Sequence, residues 1–161
     1  MRKAYILVGP PGSGKSTYTS TLGDVDVFSL DRCREAVLDR HRPEITDPKE
    51  RYANAFDICV HDCKEEFDQL VNERWTECLR SSKDVVVDNT NLTRKSRARW
   101  VNDLHARKFH VVMVMFMVTL QTVQDRQSTR RDKEVPADVV RDMYMRLQEP
   151  LSTEYDELVF V

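Results

Sequence analysis

Residues 4–18 read "AYILVGPPGSGKSTY", and how this stretch is understood decides the fold. Ala4 to Val8 are continuously apolar, as a strand buried on both faces of a parallel sheet would be. Gly9, Pro10, Pro11, Gly12, Ser13 and Gly14 then break the chain before Lys15, Ser16 and Thr17 open a helical pattern. The spacing Gly9-x-x-x-x-Gly14-Lys15-Ser16 is that of a phosphate-binding loop, and its strand–loop–helix context agrees. Glycines let successive backbone N–H groups turn inward around phosphate oxygens, and the following helix adds its positive end. In that reading Lys15 reaches the β and γ phosphates, and the Ser16 hydroxyl ligates a magnesium ion. A Gly-Pro turn that happens to contain Lys-Ser is the competing reading, and the flanking strand and helix weigh against it. The expected ligand is a nucleoside triphosphate, taken here as ATP with Mg2+, bound by residues 9–17.

Four further segments resemble the first strand: "VDVFSL" (25–30), "DVVVD" (84–88), "FHVVMVMFMV" (109–118) and "ELVFV" (157–161). Helical periodicity fills the spaces between them. The longest such stretch is 50–80, where Tyr52, Phe56, Cys59, Cys63, Phe67, Leu70 and Cys78 recur every three or four positions. It is long for a globular helix, so a break inside it is expected. Further helices are predicted over 93–107, from Thr119, and from Pro136 as a first-turn proline. Alternating strands and helices predict an α/β fold with a five-stranded parallel sheet flanked by helices, and a helical lid over 119–135. The expected organisation is one domain over 1–161.

Bulk properties narrow the function classes. A formal net charge of −2 gives no overall positive field for coating a nucleic-acid duplex, but leaves room for a local basic pocket that grips a strand end. The apolar run behind Met1-Arg2-Lys3 is too short for a signal peptide, and no run is long enough to span a membrane, so a cytoplasmic location is expected. Cys59, His61 and Cys63 invite a metal reading. However, His61 would point away from the two thiols on a helix and no second ligand pair follows, so zinc is not expected. The sequence leaves a homo-oligomer open without indicating one.

The remaining chemistry should lie where open α/β sheets place their ligands, at the carboxyl ends of the strands. The second strand runs into "SLDRCRE", which puts Asp31 at its end and Arg34 three residues on. A carboxylate there can take a proton from an attacking hydroxyl, and a guanidinium beside it can fix an anionic group of the acceptor. Alternatively Asp31 is a helix N-cap with a surface ion pair to Arg34. The third strand closes on Asp88, the candidate partner of Ser16 on magnesium, since a cap role fits Asn91 or Thr93 better. After the fourth strand, "TLQTVQDRQSTRRDKEVP" carries Arg126 and Arg130 one helical turn apart, suited to neutralising charge on a transferring phosphoryl group. The run "TRKSRARW" (93–100) reads as mainly solvated helix surface.

Taken in order, "GPPGSGKSTY", "LDRCRE", "DNTNLTRKSRARWV" and "RRDKEVPADVVRDMYMRL" resemble the kinase domain of the phage and animal polynucleotide 5′-hydroxyl kinases. "DNTN" with "SRARWV" is similar to the animal type, and "KEVPADVVRDMY" to the phage type. The resemblance implies an ATP-dependent enzyme that phosphorylates the 5′-OH ends of DNA or RNA in nucleic-acid end repair. It would make Asp31 the general base, Arg34 the ligand of the phosphate 3′ of the terminal nucleoside, and Arg130, supported by Arg126, the lid arginine. Asn89 and Thr90 would lie near the acceptor with Asp88. Two positions depart from the phage pattern: Asn89 takes the slot of its acid, which moves to Asp88, and Leu30 replaces a basic residue. No Asp-x-Asp-Gly-Thr motif is present, so no phosphatase domain is expected.

Overall fold

The computed structural model describes residues 1–129 and 135–161. Val85, Val86 and Val87 make up all of β3 (Val85–Val87), and none of the three is exposed. β1 (Lys3–Val8) lies on one side of it and β2 (Asp26–Phe28) on the other. β4 (His110–Met115) and β5 (Glu157–Phe160) complete a five-stranded sheet of order β2-β3-β1-β4-β5. Every pair is parallel, with Tyr5 opposite Val86 on one side and Val112 on the other. The three inner strands are the three with the most continuous apolar runs, because each must bury both its faces.

Alternate residues of these strands feed two cores. Ala4, Ile6, Val8, Val85, Val87, Val111 and Met113 face one way, against residues of four helices. These are α2 (Leu30–His41), α3 (Pro48–Val60), α4 (Lys64–Arg80) and α5 (Arg94–Ala106). Leu7, Val86, Val112 and Val114 face the other way, where Tyr18 and Leu22 of and after α1 (Lys15–Ser20) pack on them. Phe28, Trp75 and Trp100 meet in the larger core with ring centroids 4.9 to 5.0 Å apart. This aromatic trio fixes the end of β2, one residue before the segment that carries Asp31.

The predicted break in the long helical stretch falls between α3 and α4. His61 leaves the helical region at φ −112 and ψ −88, and Cys63 N–H donates to Ile58 O at 2.7 Å before α4 begins. Asp47 caps α3 with Pro48 in its first turn, and Thr93 caps α5 through a reciprocal pair with Ser96. α6 (Leu120–Ser128) starts from the Thr119 cap as expected. Pro136 is the N-cap of α7 (Ala137–Met145) rather than its first residue.

The segment 93–100 is mainly solvated as expected, with Arg94, Lys95, Ser96, Ala98 and Arg99 exposed, but two residues depart from that reading. Arg97 is completely buried, as is nearly all of Trp100. Its guanidinium donates to Asn91 O at 2.9 Å, Gln148 O at 3.1 Å and Glu154 Oε1 at 2.7 Å. Arg97, Trp100, Val101 and Leu104 recur at helical spacing, so the arginine belongs to the buried stripe of α5 and finds its partners inside.

Candidate active site

The loop after β1 is shaped by its glycines. Gly12 and Gly14 have φ of 83 and 103, the left-handed region open to glycine, and Gly14 is the N-cap of α1. A Cβ on Gly9 would come within 2.6 Å of Ser13 Oγ, and one on Gly12 within 3.0 Å of Val123 O. The loop is tied to the sheet by Gly9 N–H donating to Thr90 O at 3.0 Å. Lys15 Nζ donates to Gly9 O at 2.7 Å, across the loop. Ser13 Oγ is buried in the loop without a hydrogen-bond partner. This cradle, too tight for a Cβ at Gly9 and Gly12 and opening on a lysine and a serine, fits the phosphates of a nucleotide.

One cleft of about 1070 Å³ brings most of the predicted residues together. Pro11, Gly12, Ser13, Gly14, Lys15, Ser16 and Thr17 line one wall, and Asp31 with Asp88, Asn89 and Thr90 another. Arg126 lines it from α6, with Nη1 donating to Gly12 O at 3.0 Å. Gly9 and Pro10 are buried beneath the loop. Ser16 and Asp88 both border the cleft, and a hydroxyl with a carboxylate is an oxygen donor set suited to Mg2+. Arg130 lies outside the described residues.

At the end of β2 the cap half of the alternative reading of Asp31 fails, while its ion pair to Arg34 is present. Ser29 is the N-cap of α2, its side chain accepting from Arg32 N–H at 3.2 Å, so Asp31 sits within the first turn and is not the cap. Arg34 Nη1 donates to Asp31 Oδ1 at 2.9 Å. Asn89 Oδ1 accepts from Leu30 N–H at 2.8 Å, which couples the end of β3 to the start of α2. Asp31 thereby joins the wall formed by Asp88 and Thr90.

Arg34 does not line the main cleft, although Asp31 and Glu35 on the same helix border both the cleft and the notch beside it. Arg34 borders that notch, of about 10 Å³, with Asp31, Glu35, Tyr52, Ala55 and Phe56. Its guanidinium stacks on Phe56 at 5.0 Å and lies near Phe67 at 5.6 Å. Glu35 is engaged by Arg51, whose Nε donates to it at 3.1 Å while Nη1 donates to Ile45 O at 2.8 Å.

Two residues at the site were missed in the sequence, and a third, Asn91, was read there only as a candidate helix cap, the role that Thr93 takes. Arg32 lines the cleft, one place after Asp31, although Leu30 stands where a basic residue was sought. Gln127, almost fully buried, accepts from Val135 N–H at 3.1 Å and lies beneath Gly12. Asn91, at φ 48, donates to Leu7 O at 2.8 Å and so joins the ends of β1 and β3. Only the i, i+4 spacing of Val123 and Gln127 gave a sign of the second, since loop contacts across strands leave no periodicity.

The profile of the AAA domain family (AAA_33) matches residues 5–150. A curated relative of Autographa californica nuclear polyhedrosis virus, named as a bifunctional polynucleotide kinase/RNA ligase, is 23% identical over 96% of this chain. The chain spans 22% of that protein's length. Among solved structures, a protein of Chloroflexus aurantiacus named as a kinase is similar over 99% of this chain and 87% of its own, with a TM-score of 0.66 and 17% identity. A gluconokinase from Sinorhizobium meliloti covers 100% of this chain and 83% of its own at TM-score 0.57 and 16% identity. Kti12 of Chaetomium thermophilum, in complex with ADP-AlF3, covers 98% and 88% at TM-score 0.60 and 14% identity. With a phosphate loop in a parallel sheet and a family match across nearly its whole length, the chain belongs to the AAA domain family and has a P-loop kinase fold.

Proposed function

We propose that this protein is an ATP-dependent polynucleotide kinase that transfers the γ-phosphoryl group to the 5′-hydroxyl of DNA or RNA. The observation that carries the reading is the Asp31–Arg34 pair. Its carboxylate opens on the cleft of the phosphate loop while its guanidinium faces a notch beside it. The Asp31 carboxylate takes the proton of the 5′-hydroxyl as that oxygen bonds to the γ phosphorus. The bond from phosphorus to the β-phosphate oxygen breaks, and ADP leaves. Lys15 and Arg126 supply positive charge to the donor phosphates, with Arg130 cast as the lid arginine. Arg34 holds the phosphate on the 3′ side of the acceptor nucleoside, and Asn89 and Thr90 border it. A Mg2+ ion held by Ser16 and Asp88 would screen charge on the triphosphate. Positioning and electrostatics then account for most of the rate.

Replacing Asp31 with Asn tests the assignment. Transfer to a 5′-OH oligonucleotide should fall by several orders of magnitude while the Kd for ATP stays within about threefold. Full activity in that variant rules out the general base. The gluconokinase among the structural neighbours keeps a second acceptor class open, the hydroxyl of a small molecule, which the notch at Arg34 argues against. A panel of labelled ATP with a 5′-OH oligonucleotide, a 3′-phosphorylated mononucleotide, a free nucleoside and gluconate separates the two. The polynucleotide reading expects the first two to be phosphorylated and the last two to be refused.

A further inference from the structure

We propose that Phe56 on α3 is a stacking platform for a nucleobase of the acceptor strand, the base one nucleotide beyond the phosphate bound by Arg34. The proposal rests on the polynucleotide reading above and says which part of the strand is read beyond its terminal hydroxyl.

Phe56 is 47% exposed, although its neighbours Ala55, Ile58 and Cys59 on α3 are buried. A single exposed apolar residue is ordinary. This one borders the same notch as Asp31 and Arg34, and the Arg34 guanidinium occupies one face of its ring at 5.0 Å. The outward part of the ring is open. Tyr52, one turn earlier, lies on the same notch with its ring centroid 6.5 Å away at 31° to that of Phe56. Val60, one turn later, is 48% exposed. The three residues therefore form an apolar track along one face of α3, starting beside the acceptor pair and running outward.

The order of groups along a polynucleotide matches the order of groups on this surface. The terminal 5′-hydroxyl goes to Asp31 and the next phosphate to Arg34. The base carried by the nucleotide after that phosphate is one sugar away from the guanidinium, within reach of the ring that already touches it. Base–aromatic stacking contributes substantially per base and tolerates every base, because each has a π face. The platform thus favours strands of two or more nucleotides and gives little sequence preference at the second position. A small-molecule acceptor would have no use for it.

The test is steady-state kinetics on a 5′-OH tetranucleotide and on the same strand with an abasic second position. With Phe56→Ala, KM for the intact strand should rise roughly 5- to 100-fold with kcat nearly unchanged. The abasic strand should already show a raised KM with the unaltered enzyme, and Phe56→Ala should add little to it. Phe56→Trp should keep the low KM. Thermal melting and the Kd for ATP, both unchanged in Phe56→Ala, exclude a folding defect. If Phe56→Ala weakens the intact and abasic strands equally, the ring acts only by holding Arg34, and the platform is ruled out. An unchanged KM on the intact strand rules it out as well. An unaltered enzyme that phosphorylates no oligonucleotide overturns the acceptor reading itself, and the platform falls with it.

Discussion

At the scale of the residue, the phosphate loop separates two costs that glycine normally hides together. Gly12 and Gly23 both have left-handed φ, at 83 and 77. A side chain at Gly23 would meet open space, whereas a Cβ at Gly12 would press on Val123 O, a backbone atom of α6 that cannot swing aside. Gly23→Ala should therefore show only backbone strain, on the order of 1–2 kcal/mol of stability, with ATP affinity unchanged. Gly12→Ala should show the same strain and also push α6 from the loop, breaking the Arg126 contact with Gly12 O. Its ATP affinity should fall at least tenfold. Urea denaturation beside a fluorescent-nucleotide titration reads both quantities, and equal ATP binding by the two variants would show that α6 does not support the loop.

At the scale of the element, α5 shows how a charge pattern that holds for most of a helix misses one residue. Four cationic residues within 94–99 suggest a solvated face. One of them, Arg97, instead closes the loop after β3 against the segment before β5, with Glu154 as its counter-ion. Nothing local to α5 reveals this, because beyond the Asn91 carbonyl the partners Gln148 and Glu154 lie 51 and 57 residues away in the chain. The apolar periodicity of Trp100, Val101 and Leu104 was legible, and extending it backwards by one turn lands on Arg97. Arg97→Leu takes the donor from Asn91 O and Gln148 O and leaves the Glu154 carboxylate without its counter-ion, so a loss of about 3–5 kcal/mol is expected. Arg97→Lys should recover little of it, since one ammonium cannot replace the planar fork that reaches Asn91, Gln148 and Glu154 together. Chemical denaturation of both variants measures this. A loss below about 1 kcal/mol in Arg97→Leu would mean that the corner holds without its ion pair.

At the scale of the whole molecule, the strands were readable because a parallel sheet leaves continuous apolar runs, and the phosphate loop because its chemistry is contiguous. Asp31 and Asp88 were readable for a topological reason: ligands gather at the carboxyl ends of parallel strands. The notch of Tyr52 and Phe56 was not, since it depends on how α3 packs across α2. That same packing buries three thiols, Cys33, Cys59 and Cys78, from three different helices in one core. Burial pushes the Cys59 and Cys78 thiols up from 9.0 to about 11. The folded protein therefore keeps these thiols neutral at pH values where the unfolded chain has begun to ionise its own. The unfolded state loses the protons first, so stability is full below about pH 9 and drains away as pH rises towards 11. Because the thiols join α2, α3 and α4 to the sheet, the loss should appear as one cooperative transition. The urea midpoint should be level from pH 7 to 8.5 and fall steadily from 9 to 11. A Cys59→Ala/Cys78→Ala variant should begin less stable at pH 7, through the space it opens, yet lose less over the alkaline range. Parallel slopes for the two proteins would assign the alkaline loss to other groups, the half-buried Tyr5, Tyr18 and Tyr52 first among them.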